Sequence, residues 1–188
     1  MAVLAAGQSR RYAPGDKLAA MFRGRRLGEL ACHTLAGVEF AHRWVIAARA
    51  DHSCAQSWQA DRFTIAVNPQ ASSGMGTSVA LAARLALDAK ADGLLIVLAD
   101  MPLVPADHFR SLVARAAASG PAAIIASVAA GVRSPPAAFG RDRLANLAAI
   151  TGDVGARGLL AQAELVACTP ELLIDIDDEK ALARALQA

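Results

Sequence analysis

Four residues into the chain, a short apolar run breaks into Leu4-Ala5-Ala6-Gly7-Gln8-Ser9-Arg10-Arg11, and Lys17 follows a Pro14-Gly15 turn. A strand that stops in a loop of small residues lets backbone N–H groups approach an anion closely, and a hydroxyl with cationic side chains just beyond neutralises it. That chemistry suits a polyphosphate, and with it an enzyme acting on a nucleoside triphosphate. A strand and turn with a solvated basic rim would use the same residues, because small-residue loops also recur without function. A second small, polar segment, Asn68-Pro69-Gln70-Ala71-Ser72-Ser73-Gly74-Met75-Gly76-Thr77-Ser78, runs into a helical pattern. Its amides and hydroxyls can face a base or ribose, with Asn68, Gly74, Met75 and Ser78 the candidate contacts. The structural alternative is a loop capped by Thr77 or Ser78.

Carboxylates follow the same logic. Asp100 comes directly after the continuous apolar run Leu94-Leu95-Ile96-Val97-Leu98. An acid at the end of a fully buried strand needs a partner, and Mg²⁺ held between a carboxylate and substrate phosphates is a natural one. A helix cap or Asx turn would explain it otherwise, although Pro105-Ala106-Asp107 is better placed to start the next helix. Gly152-Asp153-Val154-Gly155-Ala156-Arg157 pairs a carboxylate with an arginine at a helix start, which suits either an anion or a cap. Asp175-Ile176-Asp177 alternates at strand period, so both carboxylates point one way. They could make a second metal contact or complement the N-terminus of the last helix.

Positioning these groups takes a core, and 188 residues suffice for one domain that buries one. A net charge of +2 with few aromatics and no basic run gives nucleic acid nothing to stack on or track. The early cluster of Arg10, Arg11, Lys17, Arg23, Arg25 and Arg26 points to a small anionic ligand instead. Cys32, Cys54 and Cys168 form no Cys-x-x-Cys pair, and His33, His42, His52 and His108 show no ligand spacing, so neither a disulfide framework nor a zinc site is expected. No stretch approaches the ~18 apolar residues that cross a bilayer, and the start of the chain does not read as a signal peptide. The expectation is a cytoplasmic protein with no membrane partner, to which a few native residues could be missing before Met1.

Strand-like and helical patterns alternate along the chain. Strands are expected at Val3-Leu4, 43–47, 63–67, 94–98, 123–128 and near Leu165, and helices over 27–35, 78–89, 105–118, around 141–149, after Gly152 and at the C-terminus. This alternation predicts an open, doubly wound α/β sheet. In such sheets ligands sit outside the carboxyl ends of the strands, which is where the candidate residues fall.

Together these segments resemble the molybdopterin nucleotidyltransferase family of the nucleoside triphosphate transferase superfamily, most of all its molybdenum cofactor cytidylyltransferase branch. The first loop, Lys17, Gly74-Met75-Gly76-Thr77-Ser78, Asp100-Met101-Pro102-Leu103, Gly152 to Arg157 and Asp175-Ile176-Asp177 occur in the family's order across nearly the whole chain. Leu4-Ala5-Ala6-Gly7 is similar to cytidylyl-transferring members, whereas guanylyl-transferring ones usually carry Leu-Ala-Gly-Gly. Ala6 thus inclines the reading to CTP. The resemblance implies a Rossmann-like three-layer sandwich with a mostly parallel sheet, a single domain over 1–188. It also implies Mg²⁺ dependence and attack by a molybdopterin-type acceptor phosphate on the nucleotide α-phosphate, with pyrophosphate released and no nucleophilic side chain. A molybdoenzyme or its chaperone would be the downstream partner.

Carried onto this chain, the pattern puts Arg11 and Lys17 on the triphosphate, Asp100 on the metal and Asp177 as a second ligand. Leu4, Ala5, Ala6, Gly7 and Ser9 would surround the phosphates. Two positions depart from the family: Ala13 stands where a glycine is usual, and Ser134-Pro135-Pro136 replaces a Gly-x-Pro that faces the acceptor. A nucleotide-binding regulator or cofactor chaperone on the same fold, and a sugar-phosphate nucleotidyltransferase, are the competing readings.

Overall fold

The structure is a computed structural model that describes residues 1–7, 9, 12, 15–152 and 155–187, with the backbone alone over 155–157. Its centre is a seven-stranded sheet in the order β5-β4-β1-β6-β8-β7-β9, made from β1 (Ala2–Ala5), β4 (Trp44–Ala47), β5 (Thr64–Val67), β6 (Gly93–Leu98), β7 (Ile124–Ala129), β8 (Val132–Gly140) and β9 (Glu164–Ala167). A separate two-stranded ribbon pairs β2 (Met21–Phe22) with β3 (Arg25–Arg26). Within the large sheet only β8 runs against its neighbours, β6 and β7.

Side chains alternate between faces along each strand, and both faces are covered. Val3 and Ala5 of β1 and Leu95 and Val97 of β6 pack with α1 (Leu27–Ala36), α2 (Ala55–Ala60) and α4 (Ala106–Ser119) through Leu27, Leu35, Trp58, Phe109 and Leu112. Ala2, Leu4, Leu94 and Ile96 pack on the other face with α3 (Met75–Asp88), α5 (Leu144–Ala148) and α6 (Gly155–Leu160). On α3 the buried stripe is Val79, Ala82, Ala83 and Ala86, at helical spacing, and its small side chains bring the helix axis close to the sheet. The last helix, α7 (Glu179–Gln187), buries Ala181 and Ala185. This is the doubly wound α/β sheet that the alternation predicts, in the three-layer form with a mostly parallel sheet that the resemblance implies.

Two local results differ from the expectations. No strand is among those expected over 132–140, and a proline cannot donate into a ladder. Yet β8 forms there: its pairing with β7 jumps from Ala126↔Ala137 to Ser127↔Ser134, so Pro135 and Pro136, joined by a cis peptide, lie in an irregularity that asks nothing of their nitrogens. Helix α3 also begins at Met75, three residues before the expected start, with Gly74 at φ +111° as its N-cap.

Chain order explains where a ligand can enter. From β1 the chain builds outward through β4 and β5, then crosses back to place β6 on the other side of β1. The loops after β1 and β6 therefore diverge and leave a crevice at the sheet's carboxyl edge, the topological switch point of an open α/β fold.

Candidate active site

A cleft of about 250 Å³ opens at that switch point. Leu4, Ala5, Ala6 and Gly7 line it from β1, Leu98 and Asp100 from β6, Lys17 and Leu18 from a short 3₁₀ turn (Lys17–Ala19), and Ala71, Ser72, Gly74, Met75 and Ser78 from the entry to α3. Among the described residues, a methyl group built on Gly7 would meet no atom within 4 Å, so the backbone at Gly7 is open to a ligand. Helix α3 starts at the cleft wall, and its N-terminal partial positive charge favours an anion there.

The entry to α3 is held from beneath. Asn68 is buried, and its amide nitrogen donates to Thr77 Oγ1 and Ser78 Oγ, each at 2.9 Å, while its oxygen accepts from Gln70 N–H at 3.0 Å. Gly76 N–H donates to the Gly152 carbonyl at 2.9 Å, and a Cβ at Gly76 would run into that same oxygen and the Ile150 side chain. Gly76→Ala should therefore push the 150–152 loop off α3 at a cost of about 1–3 kcal/mol. In a thermal melt this should read as a Tm lowered by roughly 3–10 °C. A melting point within a degree of the parent would show that this contact does not hold the loop.

Charge converges on Lys17. Its ammonium donates to Asp100 Oδ2 at 2.5 Å and to Asp177 Oδ1 at 2.8 Å, with the lysine side chain 10% exposed and the two carboxylates 18% and 34%. Asp177 reaches it because the chain after β9 returns to the sheet edge, where Ile176, fully buried, donates its N–H to Asp100 O at 3.0 Å. Asp175 and Asp177 thus flank a buried residue in a segment that belongs to no helix or strand. Burial opposes the Lys17 ammonium, but Asp100 and Asp177 together outweigh it and hold its pKa above the usual lysine range. Burial pushes the Asp100 carboxyl up, Lys17 pulls it back, and Asp175 adds to the rise.

These residues also fit a divalent cation. Two carboxylates bracket a position already taken by a positive charge, and the second oxygen of Asp100 is buried without a hydrogen-bond partner. Among the described residues no group of three or more His, Cys, Asp or Glu could hold a metal alone. The remaining ligands would have to come from phosphate and water, which is how Mg²⁺ is usually bound.

A family profile described as the MobA-like NTP transferase domain matches residues 1–167. The chain belongs to this family. It is 33% identical over 170 residues to the purine catabolism protein PucB of Bacillus subtilis (strain 168), a match that covers 86% of this chain and 80% of that protein. In fold it is similar to a nucleotidyl transferase from Methanothermobacter thermautotroptrophicus, with a TM-score of 0.80, 18% identity and 99% and 94% of the two chains covered. It is also similar to molybdopterin-guanine dinucleotide biosynthesis protein A from Archaeoglobus fulgidus, with a TM-score of 0.69, 16% identity and 99% and 96% covered.

Within this MobA-like domain, Leu4, Ala5, Ala6, Gly7, Lys17, Gly74, Met75, Ser78 and Asp100 share one cleft, and Asp177, beyond the family-matched stretch, joins it through Lys17. Ser9 stands behind the lysine, its hydroxyl accepting Lys17 N–H at 3.1 Å. Asn68 is absent from the cleft lining, its side chain engaged with the loop above it. Arg11 and Asp153 lie outside the described residues. Sequence reading missed Leu18 and Leu98, whose apolar side chains carry no chemical signal; Ala71 and Ser72 fall within the small, polar segment it singled out, though not among its named contacts. It named Asp100 and Asp177 but did not foresee that both pair with Lys17 directly.

Proposed function

We propose that this domain transfers a nucleoside monophosphate, CMP from CTP, to the terminal phosphate of a molybdopterin-type acceptor in the cytoplasm, releasing pyrophosphate in a Mg²⁺-dependent reaction. The observation that carries this reading is one ammonium bracketed by two carboxylates in an open cleft at the sheet's switch point. An oxygen of the acceptor phosphate forms a bond to the nucleotide α-phosphorus. The α–β bridging bond breaks, and its electron pair leaves with pyrophosphate. The protein forms no covalent intermediate, so its task is positioning and charge neutralisation.

Lys17 keeps its proton and presents it to the departing pyrophosphate, with Arg11 as a second cation on the triphosphate. Backbone amides from Ala6 to Ser9 cradle the phosphates, and the start of α3 faces the ribose and base. Asp100 and Asp177 would hold Mg²⁺, which supplies neutralisation of the charge growing on the phosphate oxygens. The preference for CTP is supported by the Leu4-Ala5-Ala6-Gly7 form of the first loop.

A pyrophosphate-release screen tests this. CTP, GTP and ATP are each mixed with the protein and either molybdopterin or sugar phosphates, with and without Mg²⁺. Release should be greatest with CTP, molybdopterin and Mg²⁺ together. Selective stimulation by GTP would overturn the donor assignment, stimulation only by sugar phosphates would overturn the acceptor, and no stimulation by any pair would leave a nucleotide-binding protein without transfer activity.

A further inference from the structure

We propose that His52 is a positioning residue for Lys17, acting through the Asp16 carboxylate; the kinetic part of this inference rests on the transfer reaction proposed above. Lys17 begins a 3₁₀ turn of only three residues, an element with little stability of its own. Asp100 and Asp177 hold the ammonium at the far end of the side chain, but the backbone of so short a turn needs anchors of its own if the lysine stem is to keep its direction. Asp16 provides the first, its Oδ1 accepting Leu18 N–H at 3.0 Å as the N-cap of the turn.

Asp16 is itself about one-third exposed, so its carboxylate would swing unless the second oxygen were tied. His52 ties it: Nε2 lies 2.8 Å from Asp16 Oδ2. His52 Nδ1 accepts the Cys54 N–H at 3.1 Å, which leaves the proton on Nε2 and makes that nitrogen the donor. The imidazole stacks on Trp58 with ring centroids 4.7 Å apart, and the Trp58 indole N–H donates to Gly28 O at 2.7 Å. Gly28 closes the circuit, since a Cβ there would come within 2.9 Å of Leu18 Cβ. Cys54 adds a thiol contact to Leu18 O at 3.5 Å. The turn that carries the cleft's lysine is therefore clamped to α1, α2 and the loop after β4 through one buried histidine.

A core-filling histidine could be replaced by any side chain of similar bulk, whereas a brace needs the N–H donor. His52→Leu removes the donor, and His52→Gln can restore it. The chain has three lysines, Lys17, Lys90 and Lys180, and the last two are exposed. With ¹³C-labelled lysine, the Cε order parameter of Lys17 can be read against those two as mobile references. Lys17 should be most ordered in the parent and in His52→Gln, and should lose order toward the Lys90 and Lys180 references in His52→Leu, while Asp100 and Asp177 still hold its ammonium. In the transfer assay His52→Leu should lower kcat by about 10- to 100-fold with KM for CTP changed less than about twofold, and His52→Gln should recover most of the loss.

Should His52→Leu fail to fold, Asp16→Asn breaks the same contact from the outside. Its oxygen still caps Leu18, but its amide cannot accept the His52 proton, so it should reproduce the mobile Lys17. A rigid Lys17 in both His52→Leu and Asp16→Asn, or a Gln variant as impaired as the Leu one, would overturn the proposal. The order parameter needs no substrate, so a failure of the transfer reading would appear in the assay alone.

Discussion

Lys17→Met should lower kcat for nucleotidyl transfer at least about a hundredfold, because a preorganised cation at the developing charge is worth several kcal/mol of barrier. The same substitution should also destabilise the fold. It leaves Asp100, largely covered and with one buried oxygen already lacking a partner, and Asp177 without the ammonium between them. Breaking such a pair from one side costs about 3–5 kcal/mol when it is fully buried, and the partial exposure of Asp177 brings the expectation to about 2–3 kcal/mol near pH 7.

The sign of the pH dependence follows. In the variant, burial and Asp175 still push the Asp100 carboxyl up, and the opposing pull of Lys17 is gone. A carboxyl whose folded pKa lies above its unfolded value penalises the fold where it is ionised, and the penalty fades as pH falls through the raised value. The stability deficit of Lys17→Met should thus be largest at neutral pH and shrink on acidification, levelling off below about 3.9, the pKa of an unfolded aspartate. In the parent protein, the raised Lys17 pKa contributes stability that is complete below the ordinary lysine value and is lost as pH rises through the folded one. Urea unfolding of both proteins from acid to neutral pH checks the first statement, and unfolding of the parent above the ordinary lysine value checks the second. A deficit that grows on acidification would show that Asp100 and Lys17 are not coupled in this way.

Asp100→Asn should also abolish turnover, again by about a hundredfold or more, through loss of the cation site. Its effect on stability should be opposite in kind. The asparagine is neutral and of the same shape, and Lys17 keeps Asp177 at 2.8 Å. The variant should melt within a few degrees of the parent while losing Mn²⁺ binding in the presence of CTP, as followed by electron paramagnetic resonance. Adding Asp100→Asn to Lys17→Met should restore much of the lost stability, since it removes the stranded charge that Lys17→Met creates. An active Asp100→Asn variant, or one that binds Mn²⁺ normally, would remove Asp100 from the metal site.

Much of this arrangement was legible in the chain because the signals were local and repeated. Buried strands such as Leu94–Leu98 announce themselves by an unbroken apolar run, and the residues just after them stand at the carboxyl edge whatever the details of packing. That is why the β1 loop, Lys17, the α3 entry and Asp100 could be assembled on paper before their distances were known. Strand β8 was hidden because Pro135 and Pro136 argue against a ladder, and the irregularity that tolerates them is a property of the β7–β8 pairing rather than of either segment.

Asn68 reads as a ligand contact because it opens a small, polar segment at the end of a strand. Its partners, Thr77 and Ser78, are nine and ten residues away, and only the turn of the loop brings them under its amide. His52 gave no signal either. Its meaning lies in Asp16, 36 residues earlier in the sequence, and in the Trp58 ring beneath it.

The most direct test of the account is the fate of labelled phosphorus. CTP carrying ³²P at the α position, and separately at the γ position, is incubated with the protein, Mg²⁺ and molybdopterin, and the products are separated. Transfer of a nucleotidyl group puts the α label on the acceptor and the γ label in pyrophosphate, with both transfers lost in Asp100→Asn. Recovery of the γ label on the acceptor or as free phosphate would mean that the cleft cuts the triphosphate elsewhere, and the account would be wrong.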